Sequence, residues 1–509
     1  MSAITGAQGL SPAGSAPGSP QGRLRGTSRS GAREPLLPRH ERAARARSGD
    51  GEGEAPKSLD AQILGLALPA LGTLAIDPLL SVVDTGYVGH LGTAPLAALG
   101  AASSLFTFTF LLFNFLSQAT APLVGQALGR ADEAAARRTV AQAVTLAALC
   151  GALSLAALEA FAEPLLRAVY GGGEAEAGVL ALAATYVRVR ALGLPAALVS
   201  NALGGAYRGL LDTRTPLRIA LVANAANALL DPVLIFGVPG GPGGLGVAGA
   251  AAATVAAEYA ACWQFLRGLG RTRLGGVGGA ELPRPAELLP LLTASGALLA
   301  RQVALQGTLL LAASTAARVA DGGTALAAHQ VSIQAWMLLS FTFDSVAVAA
   351  QGLVSDSLGR GDRGAARAVA GRCLAWGAGL GAAGGAGLWG AHGWLSRAFS
   401  SAPDVQAASE STLGLYVAAA QPVNALVFVG DGVIAGSLDF VYVAGGMGLA
   451  ALVAGGSMVL REPSLEHVWQ SLTALMAVRG GVVLTRVSGR FGGPLAPDAA
   501  DGDEPGASG

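Results

Sequence analysis

From residue 59 onward the chain consists of apolar stretches about 20 residues long joined by short polar connections. A helix of that length crosses a ~30 Å hydrocarbon layer. In lipid every backbone N–H and C=O must find its partner within the protein, so helices are the expected spanning elements. Twelve such stretches can be counted, at about 62–83, 95–127, 139–160, 181–206, 217–238, 246–268, 287–313, 324–353, 367–390, 410–436, 440–460 and 466–486. The expected fold is therefore an all-α polytopic membrane protein with twelve transmembrane helices. Composition agrees, because 52% hydrophobic and only 13% charged residues over 509 positions is too apolar for domains in water.

Arginine placement gives an independent check on the count. Cytoplasmic loops carry the Arg and Lys excess, and Arg clusters fall in alternate connections: 2–3 (Arg130, Arg137, Arg138), 4–5 (Arg208, Arg214, Arg218), 6–7 (Arg267, Arg271, Arg273, Arg284) and 8–9 (Arg360, Arg363, Arg367, Arg372). This puts both termini on the cytoplasmic or stromal side. Residues 1–57 are rich in Gly, Ser, Pro and Arg and are expected to be disordered, as is the tail 491–509. Eight Arg precede Asp50, with the first acid at Glu34, a composition shared by transit peptides and ordinary cytoplasmic tails. Plasma, vacuolar and plastid envelope membranes all remain open. Between the tails lie a first half (58–270), a linker (271–286) and a second half (287–490).

The two halves repeat each other. Residues 96–100 read LAALG and 326–330 read LAAHQ; Asn114 matches Asp344; LGRADEAAARR (128–138) matches LGRGDRGAARA (358–368). Gly209-Leu-Leu-Asp212 matches Gly436-Ser-Leu-Asp439. Six helices per repeat is an even number, so the halves share one orientation, related by a pseudo-twofold axis along the membrane normal, with a substrate path between them.

Several function classes are disfavoured. A net charge of zero offers no basic surface for nucleic acid. Cys150, Cys262 and Cys373 lack CxxC spacing, so neither a disulfide framework nor a metal site is suggested. No GxxxxGK[ST], HExxH or GxSxG motif is present. No cofactor is expected, and the bilayer and a small organic substrate are the expected partners of a monomer.

Ionisable groups at membrane depth are costly and are functional candidates. In helix 1, Asp77 and Asp84 are two turns apart, and Pro69 and Pro78 make that helix either a moving part or a statically kinked one. In helix 5, Asn224, Asn227 and Asp231 line one face. Asp231-Pro232 is also compatible with a simple helix end. The repeat positions of Asp84, Asn227 and Asp231 are Ser314, Ala454 and Met458, so the first half reads as specialised for a cation or proton. The second half offers Arg301, Gln306, His329, Gln330, Asp344 and Asp431. Among these His329 reads as packing before relay, and Asp431, between glycines, as the leading candidate. Arg188 and Arg190 read as interface anchors.

The stretches LALPALGTLAIDPLLSVVDTGYVGHLG (66–92), YRGLLDTRTP (207–216), NAANALLDPVLIF (224–236), ALAAHQVSIQAW (325–336) and DGVIAGSLDF (431–440) resemble, in order, the multidrug and toxic compound extrusion (MATE) transporters, in the DinF-like branch that includes plant DETOXIFICATION proteins. The resemblance covers about 60–486. It implies two six-helix lobes working by alternating access, and an antiporter that exports organic compounds or organic anions such as citrate in exchange for H⁺ or Na⁺. It places the cation site on Asp84, Asn227, Asp231 and Thr254. Other branches carry an acid in helix 7 where this chain has Gln306-Gly307, which weakens a second-half cation site. Protonation of Asp84 and Asp231 is the expected trigger for helix 1 to repack. A lipid-linked oligosaccharide flippase of the same superfamily is the alternative, with a membrane-embedded enzyme behind it; a flippase would need a more cationic cavity than Arg301 alone provides.

Overall fold

A computed structural model describes residues 58–170, 177–238, 243–276, 285–488 and 493–496. In chain order its helices are α1 (Leu59–Gly89), α2 (Thr93–Phe113), α3 (Phe115–Gly129), α4 (Glu133–Tyr170), α5 (Ala177–Ala191), α6 (Leu194–Gly209), α7 (Arg214–Phe236) and α8 (Val247–Leu269) in the first half. The second half holds α9 (Pro285–Ala317), α10 (Thr324–Gly359), α11 (Arg363–Phe399), α12 (Pro403–Thr412), a π-helical segment (Leu413–Ala418), α13 (Ala419–Gly436), α14 (Phe440–Leu460) and α15 (Leu465–Val487). The described residues contain no named strand, only one isolated bridge between Gly237 and Gly243.

Among the described residues, nine helical stretches are long and apolar enough to cross a membrane, and α5 with α6, bent by 52° at their junction, make a tenth. The expected count of twelve is thus not reached on apolarity. Helices α8 and α11 have spanning length, 23 and 37 residues, but polar and small residues such as Glu258 and the α11 glycines dilute them. The expected span 95–127 breaks at Asn114 into α2 and α3. Helix α1 runs unbroken through Pro69 and Pro78. The described part of the tail after 490 is not wholly unstructured, since Leu495 is buried in the apolar cluster formed with residues of α1, α10, α11 and α13. Large apolar side chains such as Leu153, Leu229, Leu310, Leu338 and Leu452 lie fully outward, the surface that lipid covers.

Local structure repeats with the sequence. Helices α3, α6, α10 and α13 end in the same turn, in which the second residue past the cap donates its N–H back five positions: Asp132 to Ala127, Asp212 to Tyr207, Asp362 to Ser357 and Asp439 to Ile434. The residue before each aspartate takes a left-handed conformation, Ala131 (φ 58°), Leu211 (φ 59°), Gly361 (φ 78°) and Leu438 (φ 63°). Asp132 and Asp362 then cap the next helix through the N–H of Ala135 and Ala365 at 2.8 and 2.7 Å.

Packing repeats too. A methyl on Gly205 would lie 2.5 Å from the Ser117 carbonyl, and one on Gly432 2.4 Å from the Ala347 carbonyl, its repeat counterpart. Gly209 and Gly436 meet Ala121 and Gln351 in the same way. Between the halves, α3 crosses α10 at Gly129 and Gly359, where added methyls would lie 2.4 Å from the carbonyls of Asp356 and Gln126 respectively. In lipid such close backbone contact, rather than a hydrophobic driving force, holds helices together.

Candidate functional site

Three helices converge in the first half. Asn227 and Asp231 sit one turn apart on α7, both buried, while α1 brings Asp84 and α8 brings Thr254. The Asn227 amide is satisfied at both ends when its Nδ2 donates to Asp84 Oδ1 at 3.2 Å and its Oδ1 accepts the Thr254 backbone N–H at 3.2 Å. Thr254 Oγ1 is tied to the Ala250 carbonyl at 3.0 Å. Asp84, reached by Asn227, thus lies beside Asp231 one turn along α7, and the two carboxyl groups act on each other. Asp231 is fully buried, and among the described residues no N–H or O–H donates to either of its oxygens. Helix α7 continues past Pro232 to Phe236, so Asp231 is not the helix end that Asp-Pro also allowed. Asn224, expected on the same polar face, instead turns its amide onto the Ala220 carbonyl of its own helix.

Beside this group, Arg190 is not the interface anchor expected of it. Its guanidinium is buried, forks onto Glu258 at 2.8 and 2.6 Å, and lies over the rings of Phe106 and Phe110. A buried guanidinium requires such a partner. Sequence reading missed Glu258, although a lone acid within an Ala-rich apolar stretch was a usable signal. Arg188, paired with Glu163 at 3.2 Å, stays half exposed.

The second half assembles a different constellation. Arg301 on α9 and Arg479 on α15 both donate to Asp431 Oδ2 on α13, at 2.6 and 2.7 Å. Asp344 on α10 is close enough to feel Arg301, Asp431 and Arg479 as well as Arg208 of α6, whose guanidinium meets Ser117 Oγ. Arg479 was missed, although it is the one charge in the middle of the last apolar stretch. Gln306 is half-buried and Gln330 exposed, and neither is a partner in these two groups. Asn114 stands half-buried at the break between α2 and α3. The side chain of Asp77 lies outside the described residues. His329 is buried with its ring against Trp469 at 5.6 Å between centroids, a packing position.

The MatE family model matches residues 69–233 and 299–454. Protein DETOXIFICATION 44, chloroplastic, of Arabidopsis thaliana is 34% identical over 432 residues, covering 82% of this chain and 80% of its own length. DNA damage-inducible protein F of Escherichia coli is 33% identical over 204 residues, 40% of this chain and 42% of its own. Among solved structures, that of a MATE protein in a bent conformation superposes with a TM-score of 0.77 at 18% identity, covering 85% of this chain and 96% of that one. An outward-facing multidrug resistance MATE family transporter of the MOP superfamily gives 0.73 at 18% identity, covering 86% and 96%.

Proposed function

Because the chain belongs to the MATE family, whose members are membrane transporters of multidrug and toxic-compound efflux rather than enzymes, we propose that it is an antiporter driven by an ion gradient through Asp84 and Asp231. One observation carries this reading: a fully buried carboxyl group, Asp231, has no donor among the described residues and lies beside a second carboxyl, Asp84. An uncompensated charge in low dielectric is strongly unfavourable, so the pair requires a proton or a metal cation of the gradient. Asn227 and Thr254 line up as the neutral oxygen and amide groups that complete such a site. H⁺ and Na⁺ both fit this chemistry.

The exported compound would pass between two six-helix lobes related by a pseudo-twofold axis. Twelve crossings result when α2 with α3, α5 with α6, and α12 with α13 each count as one and α8 and α11 are included. The duplicated turns and glycine contacts support that pairing. The monomer is the working unit. The name of the plant relative, chloroplastic, supports a plastid envelope location, and an even number of crossings would leave both termini on one side.

The test is efflux of a fluorescent organic cation from proteoliposomes under an imposed pH gradient, and separately a sodium gradient, for wild type, Asp84→Asn and Asp231→Asn. Gradient-driven flux in the wild type that is lost in both folded variants supports the reading. Variants that transport as well as wild type sink it.

A further inference from the structure

The fork of Arg190 on Glu258 has no task in the coupling scheme above, and stability is a poor account of it. Charges within an apolar span are costly, and a buried ion pair exchanged for apolar side chains of similar volume often leaves a protein as stable as before. Its position is more telling. Glu258 lies one turn beyond Thr254 on the same face of α8, so the helix that brings Thr254 to Asn227 also brings the carboxylate to Arg190. Arg190 is close enough to feel the charge of Asp84. The buried Tyr186, one turn earlier on α5, feels Asp84, Asp231, Arg190 and Glu258 together. Groups from α1, α5, α7 and α8 thus form a single cluster.

The same pair sits on the bend between α5 and α6. A methyl on Gly193, the residue at the junction, would run into the Glu258 carboxylate and lie 3.1 Å from Arg190 Nη1. From the next position on α8, the Tyr259 hydroxyl donates to the Leu192 carbonyl at 3.1 Å, a backbone group at the break itself. Helix α8 therefore clasps the junction through two successive side chains. Within the duplication, bend and pair occur together. At the offset that matches Gly209 to Gly436, Val417 stands for Arg190 and Thr485 for Glu258. The corresponding stretch of the second half, Pro403–Gly436, runs as one span, with a π-helical segment at Leu413–Ala418. That half also has Ser314, Ala454 and Met458 in place of Asp84, Asn227 and Asp231.

We infer that the Arg190–Glu258 pair is the positioning element that carries the loading of the Asp84–Asp231 site to the bend between α5 and α6. This rests on reading Asp84 and Asp231 as the coupling site. With the two aspartates neutralised, the fork stays on Glu258 and α8 holds the junction. With both charged, they draw the guanidinium away from Glu258, and α8 loses its grip. In a low dielectric a change of one charge acts strongly over a few ångströms.

The experiment uses the full chain in proteoliposomes, with efflux of a fluorescent organic cation measured against the concentration of the driving ion, H⁺ or Na⁺. The paired change Arg190→Met with Glu258→Met keeps the side-chain bulk without the charges. Its expected pattern is an unchanged melting temperature and a half-saturating ion concentration within about threefold of wild type, but a maximal flux lower by roughly tenfold or more, the size of a coupling between sites. Gly193→Ala keeps both charges and displaces the carboxylate from the fork, and it is expected to lower the maximal flux in the same way. Arg190→Lys, which retains the charge without the fork, should fall between wild type and the paired change. Wild-type maximal flux in the paired change, or in Gly193→Ala should the paired change fail to fold, overturns the inference, because the pair is then packing alone. A shifted half-saturating concentration at unchanged maximal flux overturns it too, since the pair would then tune cation binding rather than carry its effect. The two proposals fail separately: gradient-driven flux that survives in Asp84→Asn removes the coupling site, whereas flux lost in Asp84→Asn and intact in the paired change removes only the role of Arg190 and Glu258.

Discussion

Asp231 and Arg190 lie in the same half, and burial acts on them in opposite ways. Among the described residues neither oxygen of Asp231 has a donor, so the folded protein carries the cost of desolvating that carboxyl. Replacing it by Asn supplies an N–H₂ directed at Asp84 and removes the charge. Asp231→Asn should therefore raise thermal stability by about 1 kcal/mol equivalent while abolishing gradient-driven transport, measured as a melting shift in detergent beside a flux assay. A gain of function at lower stability would contradict it. Arg190 is satisfied by Glu258, and Arg190→Ala takes a two-armed ion partner away from a largely buried carboxylate. That truncation should cost about 3–5 kcal/mol, and the paired change Arg190→Met with Glu258→Met should recover most of it, a double-mutant comparison read by denaturation midpoint. The spacing of Asn227 and Asp231 was visible in the sequence because both lie on one helix. Glu258 opposite Arg190 was not, because 68 residues separate them and only the packing of α5 on α8 joins them.

At the scale of the element, glycines decide how closely helices approach. Gly204 and Gly205 are neighbours on α6, yet an added methyl meets nothing within 4 Å at the first and the Ser117 carbonyl at 2.5 Å at the second. Gly205→Ala should therefore destabilise by roughly 1–3 kcal/mol through overpacking. Gly204→Ala should be neutral or stabilising by up to about 1 kcal/mol, since Ala is the better helix former. Thermal unfolding of the two variants side by side checks this; equal effects would mean that α6 does not pack on α3 at Gly205. The repeated motif LGR reported the two ends of α3 and α10, but that Gly129 and Gly359 touch each other was a matter of tertiary packing. Helix breaks were the least legible feature. Asn114 and Gly193 interrupt stretches that hydropathy reads as continuous, because a broken helix within protein contacts keeps its apolar composition.

Across the whole molecule, the first and second halves are joined by polar contacts as well as glycines. Asp60 at the start of α1 accepts both arms of Arg372 on α11 at 2.6 Å and the indole N–H of Trp376 at 2.8 Å. Gln351 of α10 donates to the Gln118 carbonyl of α3 at 3.0 Å. The Asp60 pair is exposed, so it adds little to folding stability, but it bridges elements that alternating access would separate. Arg372→Ala should leave the melting temperature unchanged and increase the share of molecules in which α1 and α11 stand apart. Distance distributions between spin labels on the two helices measure this; an unaltered distribution would remove the pair from any role in the transition.

What the sequence by itself determined was the solvent, the helical class, the duplication and the polar face of α7. Each is a short-range or compositional property: apolar length, the period of a helix, and matched motifs at a fixed offset. Tertiary structure alone decided which distant charges meet. Arg190 finds Glu258, and Arg301 and Arg479 both find Asp431, because a buried charge must be paired or neutralised and its partner is chosen by helix packing, not by separation along the chain.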